Sequence, residues 1–405
     1  MSDVAPPMTD PLIGSSSTAD MVTAIGEWVS REKLATPVGL FCHQAVADAL
    51  RRLRGELNAR ISYAVKANTH PLMLQAVAGA CEYNVTNLPH LRLLLSTGID
   101  PADITWANPV VDETTAHHAL SLGITRFVID DERGLAVLTS RRPNLRLTLR
   151  LRPNRDGASP RSVVRFGALG DDLPDLGRKA DAAGATVEAL SFFIGTHGDD
   201  LASASPYRDA LAQICSAQEK LAAQGIDVRQ INIGGGFPGS RRRFHRDHPD
   251  FFERLDAALY ASLPPGTEVI CEPGRFLAEA SIALLTKVVA DRRTGGTRLT
   301  HLDAGGYAGL FETTFIDPGG AELNIATDRT GRRSTTQVIG PIMDSFDVVK
   351  RDAELPALAD GDMLLLPNTG AYSFGYTAAC EGTRTPHIVP LPGHLDSLVS
   401  TAWFA

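Results

Sequence analysis

The stretch Ile61-Ser62-Tyr63-Ala64-Val65-Lys66-Ala67-Asn68 is the first of a series of strand-like segments that together predict the fold. Its apolar run predicts a buried strand, and the strand ends on a lysine, Lys66. A charged ammonium is costly there unless it is paired or used chemically, because burial disfavours charge. A desolvated lysine has a lowered pKa and can form a Schiff base with a carbonyl group. The alternative interpretation is that Lys66 only extends from the strand end into solvent.

Seven further strand-like runs follow the first one, and amphipathic segments with apolar residues at helical spacing separate them. The eight runs are residues 61–66, 82–87, 104–108, 126–130, 145–152, 187–195, 230–235 and 268–272. Alternating strand and helix patterns predict a parallel sheet of the α/β class, and eight units predict a closed (β/α)8 TIM barrel. A doubly wound open sheet is the alternative, but no GxGxxG motif follows the first strand.

Polar residues and glycines gather at the carboxyl ends of these runs, notably Lys66, Gly234-Gly235-Gly236 and Glu272-Pro273-Gly274-Arg275. In a barrel those ends form one face, which is where active sites lie. The triple glycine lets backbone N–H groups approach an anion such as phosphate, although a purely structural turn is an equal alternative. Arg275 could hold the same anion. A carboxylate such as Glu272, facing a pyridine nitrogen, keeps that nitrogen protonated and makes the ring an electron sink.

The sequence changes in character after about residue 280, where strand-like segments alternate with Gly, Pro and Asp turns. This change predicts a mainly β domain, of the sandwich or barrel-like kind, over residues 281–405. The barrel is predicted over residues 45–280. Residues 21–44 are predicted to add one or more strands to the β domain, and residues 1–20 to be a disordered tail.

Composition limits the possible functions of this chain of 405 residues, of which 43% are hydrophobic and 21% charged. A formal net charge of -8 and a pI near 5.8 argue against nucleic acid or an anionic membrane as the main partner. The five cysteines are scattered and show no CxxC spacing, which predicts neither a metal site nor a disulfide framework. The absence of a long apolar run or a signal-peptide pattern, together with this cysteine usage, predicts a cytoplasmic protein.

Six motifs, in the same order along the chain, resemble those of the fold-type III pyridoxal-phosphate decarboxylases of the ornithine, diaminopimelate and arginine group. The motifs are Tyr63-Ala64-Val65-Lys66-Ala67-Asn68, Trp106-Ala107-Asn108-Pro109, Gly234-Gly235-Gly236-Phe237-Pro238-Gly239, Glu272-Pro273-Gly274-Arg275, Gly340-Pro341-Ile342-Met343-Asp344 and Gly370-Ala371-Tyr372. The resemblance implies an alanine racemase-like barrel with a β domain. The Trp-Ala-Asn-Pro and Gly-Pro-x-x-Asp forms are closer to ornithine than to diaminopimelate decarboxylases.

The resemblance also implies a cofactor, pyridoxal 5'-phosphate, and roles for individual residues. Lys66 would bind the cofactor covalently, and Glu272 would hold its pyridine nitrogen. Arg150 is expected near the cofactor. The residues expected at the phosphate are Thr196, Gly234, Gly235, Gly236, Arg275 and Tyr372, and Gly274 is also expected to bind the cofactor. The implied reaction is removal of the α-carboxylate of an amino acid, which makes the chain a carboxy-lyase.

A homodimer with shared active sites is a further implication of the resemblance. The partner's Asp344 would then reach the distal group of the substrate, and an acidic residue there suits a cationic group such as an ammonium. Phe193, His197, Tyr307 and Met343 complete the set of residues expected to face the substrate, alongside Asp344 as a catalytic residue.

Two of these residues depart from the pattern of the family. Phe193 stands where the family has a histidine that stacks on the cofactor; a phenyl ring can stack but cannot donate a hydrogen bond. Met343 replaces a cysteine that helps to control reprotonation of the substrate carbon, and a thioether has no proton to give. Another group, such as Tyr307, His197 or Lys66, is expected to supply that proton.

Asn84 and His90 stand where ornithine decarboxylases carry acidic residues. Together the departures favour an unusual substrate, either ornithine- or lysine-like or a larger amino-acid conjugate of a natural-product or siderophore pathway. The alternatives are a diaminopimelate-type decarboxylase, a pyridoxal-phosphate racemase and a regulatory homologue of the antizyme-inhibitor kind. Alanine racemases place an arginine at the pyridine nitrogen, so Glu272 favours decarboxylation.

Overall fold

The computed structural model describes residues 16–142, 144–154, 165–195, 205–239, 247–312, 323–377 and 383–404. The strands are β1 (Val38–Phe41), β2 (Arg60–Ala64), β3 (Glu82–Val85), β4 (Ile104–Trp106), β5 (Arg126–Ile129), β6 (Arg146–Leu151), β7 (Thr186–Phe192), β8 (Gln230–Asn232), β9 (Glu268–Cys271), β10 (Ile282–Thr294), β11 (Thr297–Leu302), β12 (Ser334–Ile339), β13 (Val348–Leu355), β14 (Met363–Leu366) and β15 (His387–Pro390). The α-helices are α1 (Ser16–Arg31), α2 (His43–Glu56), α3 (Pro71–Val77), α4 (Leu88–Ser96), α5 (Glu113–Ser121), α6 (Glu132–Thr139), α7 (Leu173–Ala182), α8 (Ser205–Ala222), α9 (Phe251–Ser262), α10 (Arg275–Ala278) and α11 (Gly393–Phe404).

Strands β2 to β9 form a closed parallel barrel in chain order, with β9 pairing back to β2. All eight coincide with the strand-like runs of the sequence, so the predicted (β/α)8 TIM barrel is confirmed. The strand-like runs do not alternate polar with apolar residues, as half-exposed strands do, because both faces of a parallel barrel strand are covered. In β2, for example, every residue after Arg60 is buried.

Ion pairs between strands fill the amino-terminal end of the barrel interior. Arg126 of β5 lies 3.2 Å from Glu82 of β3 and 3.7 Å from Glu188 of β7. Arg60 lies 3.4 Å from Glu82, and Arg146 pairs with Glu188. These charges are partly shielded from solvent and satisfy one another, so the opposite, carboxyl end remains as the end where a ligand can enter.

The β domain is built on a seven-stranded mixed sheet among the described residues, with strand order β13-β12-β11-β10-β1-β15 and with β14 also paired to β10. The predicted mainly β domain is therefore confirmed. Strand β1 lies within this sheet although the whole barrel separates it from β10 in sequence. It is antiparallel to β10 and parallel to β15.

The expected addition of one or more strands from residues 21–44 to the β domain is met by β1, but the segment before it differs from the expected disordered tail to residue 20. Helix α1 already begins at Ser16. Its residues Met21, Val22, Ile25 and Val29 fall at helical spacing and are buried in one cluster with side chains of β1 and α11. The helix is stabilised by contacts distant in sequence, which local composition does not reveal. Within the part of the chain that is described, no helix is long and apolar enough to cross a membrane.

Candidate active site

Lys66 lies on a single 3-10 turn, Val65–Ala67, directly after β2. Strand β9, which is followed by Glu272, is the neighbour of β2, and β6, which carries Arg150, lies across the barrel. Both Glu272 and Arg150 act electrostatically on Lys66. Side chains from opposite sides of a barrel can interact in this way only if they point into its interior, so the three converge at the open end.

Burial lowers the pKa of the Lys66 ammonium group below its ordinary value. The Glu272 carboxylate opposes this shift, and the Arg150 guanidinium adds to it. The Lys66 side chain is exposed because this end of the barrel is open, so its burial by the surrounding protein is partial. A larger share of the amine is therefore uncharged at a given pH than in a free lysine, which suits a nucleophile.

Backbone hydrogen bonds bring separate sequence motifs together around Lys66. The N–H of Ala64 donates to the carbonyl oxygen of Pro273 over 3.2 Å, and the N–H of Tyr372 donates to that of Ala67 over 2.8 Å. Tyr372 adopts a φ of 52°, in the left-handed region that is uncommon for residues other than glycine. The turn that carries Lys66 is thus fixed from one side by the end of the barrel and from the other by the β domain.

Glu272 is held by the side chain of Asn232, the last residue of β8. The Asn232 Nδ2 group donates to Glu272 Oε1 over 2.8 Å, and the N–H of Gly234 donates to Asn232 Oδ1 over the same distance. The N–H of Glu272 in turn donates to the carbonyl oxygen of Gly234 over 2.8 Å. These bonds join the carboxylate and the glycine turn into one rigid unit.

The turn Gly234-Gly235-Gly236 cannot carry side chains at its first two positions, because neighbouring backbone lies too close. A Cβ on Gly234 would lie 2.5 Å from the carbonyl oxygen of Phe192, and one on Gly235 would lie 2.0 Å from that of Glu272. Within the described residues, no protein acceptor takes the N–H of Gly235 or of Gly236. Two free N–H groups in a side-chain-free cradle are what a phosphate requires.

Arg275 begins α10, and its buried side chain lies between two carboxylates. Its Nη1 group lies 3.1 Å from Glu279 Oε1 and also contacts Glu312. Burial works against the charge of Arg275, but Glu312 and Glu279 outweigh it and raise the pKa of the guanidinium group. The Arg275 Nε atom is buried without an acceptor in the described structure, and the guanidinium carbon lies 5.2 Å from the centre of the Tyr372 ring. The N–H group at this atom is therefore available to donate to a ligand.

Gly274, which precedes Arg275, lies in close contact with Tyr372 and Ala67. A Cβ on Gly274 would lie 3.1 Å from the Tyr372 hydroxyl oxygen and 3.2 Å from the Cβ of Ala67. A larger residue would push Tyr372 away from this position, so the glycine keeps the hydroxyl close to the end of β9.

Arg150 and Phe193 form one wall of the site. The Arg150 guanidinium carbon lies 5.8 Å from the centre of the Phe193 ring, a cation–π contact, and its Nε atom is buried without an acceptor among the described residues. Asn84, by contrast, is buried and donates through Nδ2 to the carbonyl oxygen of Ser62 over 3.3 Å. Asn84 therefore has a structural partner, whereas Arg150 retains capacity to bind a ligand.

Tyr307, Met343 and Asp344 belong to the β domain and not to the barrel. Tyr307 follows β11, and its ring lies 6.2 Å from that of Phe346 in a perpendicular arrangement. Met343 and Asp344 lie on the turn between β12 and β13 and are exposed, with Met343 at 95%. Asp344 makes no hydrogen bond or ion pair with the described barrel residues.

Asp347 anchors both β-domain segments that carry these residues. Its buried carboxylate accepts hydrogen bonds from the N–H of Gly306 over 2.8 Å and from that of Ile342 over 3.3 Å. Burial raises its pKa. A Cβ on Gly305 or Gly340 would lie within 2.5 Å of this carboxylate, so the glycines make the close approach possible.

Two predicted site residues, Thr196 and His197, lie outside the described residues. The other predicted residues fall into two groups. The barrel group comprises Lys66, Arg150, Phe193, Gly234, Gly235, Gly236, Glu272, Gly274 and Arg275, which Tyr372 joins from the β domain; the second group comprises Tyr307, Met343 and Asp344.

Sequence reasoning missed Asn232, Glu279 and Glu312. A signal for Asn232 was present: it is a polar residue in an apolar strand, two positions before a glycine, where asparagine side chains commonly accept a bond from the backbone. No comparable signal marks Glu279 and Glu312, because their pairing with Arg275 depends on tertiary structure.

Comparison with known proteins identifies the family to which the chain belongs. The family model described as pyridoxal-dependent decarboxylase, pyridoxal binding domain, matches residues 43–279. The chloroplastic ornithine decarboxylase of Nicotiana glauca is 30% identical over 349 residues, which cover 82% of this chain and 78% of that protein. Antizyme inhibitor 2 of Xenopus laevis is 25% identical over 355 residues, covering 83% of this chain and 76% of that protein.

Among solved structures, the lysine decarboxylase of Selenomonas ruminantium superposes with a TM-score of 0.84 at 24% identity. The match covers 93% of this chain and 98% of that one. At this level of identity the likeness shows a common fold, a barrel with a β domain.

Proposed function

This chain belongs to the pyridoxal-dependent decarboxylase family, and on that premise we propose that it removes the α-carboxylate of an amino acid whose distal end is polar or cationic. It is a pyridoxal-phosphate-dependent carboxy-lyase, and the product is an amine. The observation that carries the proposal is the convergence of Lys66, Glu272 and the glycine cradle at the open end of the barrel.

The residues present fit the cofactor at each of its functional groups. Lys66 would hold the aldehyde carbon covalently, Glu272 would face the pyridine nitrogen and keep its proton, and Phe193 would stack on the ring. When bound, pyridoxal phosphate supplies an electron sink for the electron pair left behind as carbon dioxide departs. The residues proposed for the phosphate are Thr196, Gly234, Gly235, Gly236, Gly274, Arg275 and Tyr372. We propose that the amine of Lys66 returns a proton to the α-carbon of the substrate.

Glu272 favours decarboxylation over racemisation. A carboxylate that keeps the pyridine nitrogen protonated makes the ring a strong electron sink, whereas an arginine at that position weakens it. Asn232 donates to Glu272, which gives this carboxylate a defined orientation.

For the distal end of the substrate we propose ornithine, lysine or a larger conjugate with a cationic group. Support comes from Asp344, an exposed acid that has no partner in the described barrel, and from Phe346 and Met343, exposed apolar residues of the same turn. We propose that this turn packs against a second copy of the chain, so that the partner's Asp344 completes each active site of a homodimer.

Mixing two inactive variants tests the shared site. Lys66→Ala and Asp344→Ala chains, refolded or exchanged together at equal amounts, should recover about a quarter of the wild-type activity. Half of such dimers are mixed, and one of their two sites carries neither substitution. The matched control mixes Lys66→Ala with Glu272→Gln; these residues lie on one chain's barrel, so no activity should return. Equal results in both mixtures would refute a shared site.

Carbon dioxide release from a panel of amino acids tests the reaction itself. The panel contains ornithine, lysine, arginine, meso-diaminopimelate and carboxylated diamine conjugates, each with added pyridoxal phosphate. We expect release from at least one substrate with a cationic distal group. Preference for diaminopimelate would instead assign the diaminopimelate type. Inversion of the α-carbon without release would assign a racemase. A protein that binds no pyridoxal phosphate would favour a regulatory role, such as that named for the relative from Xenopus laevis.

A further inference from the structure

Asn232 is the one side chain that contacts both the carboxylate and the glycine turn of the site among the described residues. It is buried, with 7% of its surface exposed, and it ends β8 where Glu272 follows the neighbouring strand β9. Its two polar atoms have different partners. Oδ1 accepts from the N–H of Gly234, and Nδ2 donates to Glu272 Oε1, each over 2.8 Å.

The partners determine how the amide is oriented. A backbone N–H can only donate, so the atom of Asn232 that faces Gly234 must be the oxygen. The amino group is thereby directed at Glu272, and because it can only donate, Glu272 Oε1 must accept. The second oxygen of Glu272 is then the one left for the ring nitrogen of the cofactor.

The Asn232 amide also determines which N–H groups of the glycine turn remain available to bind the phosphate. The Gly234 N–H is already used by Asn232, whereas the N–H groups of Gly235 and Gly236 have no described acceptor. The glycine at position 234 is required for a different reason, since a Cβ there would meet the Phe192 carbonyl oxygen at 2.5 Å. Gly234 thus shapes the turn, and Gly235 and Gly236 provide the donors.

We propose that Asn232 is a positioning residue that fixes Glu272 and the phosphate cradle relative to each other, so that one side chain sets the distance between the two ends of the cofactor site. This inference rests on the proposed cofactor-binding roles of Glu272 and the glycines. It predicts that Asn232 affects turnover through the orientation of Glu272 and cofactor affinity through the turn.

Asn232→Leu removes both hydrogen bonds at similar volume. We expect the dissociation constant of pyridoxal phosphate, measured by titrating the cofactor-free protein, to rise about 10-fold, the effect of losing one hydrogen bond that orders the cradle. We expect kcat to fall about 10- to 100-fold, as is typical when a residue that orients a catalytic ligand is lost. KM should change less than threefold, since Asn232 is not proposed to contact the substrate.

Asn232→Asp separates the two contacts. An aspartate still accepts from Gly234, so the cofactor dissociation constant should stay within about threefold of wild type. It also brings a second carboxylate against Glu272, and two carboxylates at that distance share a proton. The pH profile of kcat should therefore gain a decline on its alkaline side, where the shared proton is lost.

The matched control is Gln230→Leu. Gln230 lies two residues earlier on β8, so its side chain is on the same face of the strand, but at the filled end of the barrel, where it accepts from Arg60 over 3.2 Å. Its loss should leave the cofactor dissociation constant and the pH profile unchanged. Thermal melting of each variant shows whether it is folded, and if Asn232→Leu does not fold, Asn232→Asp still decides.

The outcomes separate this inference from the proposed function. Wild-type protein that does not bind pyridoxal phosphate overturns the function itself. The role of Asn232 alone is overturned under three conditions together: the wild-type protein binds pyridoxal phosphate, Asn232→Asp has the wild-type pH profile, and a folded Asn232→Leu has wild-type cofactor affinity and kcat.

Discussion

Lys66→Ala is expected to lower kcat by at least about 10^4-fold, the upper range for loss of a single proton-transferring group, because Lys66 would also be the covalent anchor of the cofactor. The visible absorbance of lysine-bound pyridoxal phosphate should disappear with it. The structure supports this large effect because Lys66 is the lysine that faces both Glu272 and Arg150 at the open end of the barrel. Turnover is measured as carbon dioxide release, and binding by absorbance of the purified protein.

The matched control for this prediction is Lys220→Ala, which removes an exposed lysine of α8 that lies 2.9 Å from Asp171. It should keep wild-type absorbance and turnover, since an exposed ion pair contributes about 0–1 kcal/mol to stability. A Lys66→Ala protein that kept the visible absorbance would show that another lysine binds the cofactor.

The lowered pKa of Lys66 gives this prediction a pH dependence. Only the uncharged amine attacks an aldehyde, and burial lowers the pKa at which the amine loses its proton. Cofactor uptake by the cofactor-free protein should therefore rise with pH and level off at a lower pH than the reaction of free lysine. Uptake that followed the free amino acid would contradict a desolvated Lys66.

Glu272→Gln is expected to lower kcat by about 10^2- to 10^3-fold, the cost of removing one group that stabilises developing charge. Glutamine keeps the shape of the side chain but cannot hold the pyridine nitrogen in its protonated state. Pyridoxal phosphate should remain bound, because Lys66 and the glycine cradle are untouched. Steady-state kinetics and absorbance spectra of the same preparation distinguish the two properties.

Glu268→Gln is the control for Glu272→Gln. Glu268 begins the strand that Glu272 follows, so it lies at the opposite end of the barrel, where it is exposed and 3.6 Å from Arg60. Turnover of this variant should match wild type. If Glu272→Gln also stayed within about twofold of wild type, an electron-sink role for Glu272 would be excluded.

The barrel could be predicted from the sequence because each strand can be recognised from its own local residue pattern. Eight apolar runs end in polar residues or glycines, and parallel topology brings those ends together without further information. Lys66, Glu272 and the triple glycine were found in this way. Helix α1 was not, since its proline- and serine-rich surroundings suggested a tail, while its stability comes from packing on β1 and α11.

Contacts between side chains of neighbouring strands could not be predicted from the sequence. Asn232 and Glu272 meet because β8 and β9 pair with Asn232 opposite Ile270, a register that no local pattern contains. The pairing of Arg275 with Glu312 joins the barrel to the β domain, and no local sequence pattern indicates it either. A single sequence can therefore name the reactive groups, but not the residues that orient them.

The position of β1 constrains the order in which the molecule can be assembled on the ribosome. β1 emerges early, yet its two edges are completed by β10 and by β15, the last strand made. Until β15 has been translated, one edge of β1 has no partner, and an unpaired edge invites pairing with other chains. The barrel can close before β1 has both of its partner strands. The β domain is therefore expected to form last and to be the part that most needs protection by chaperones.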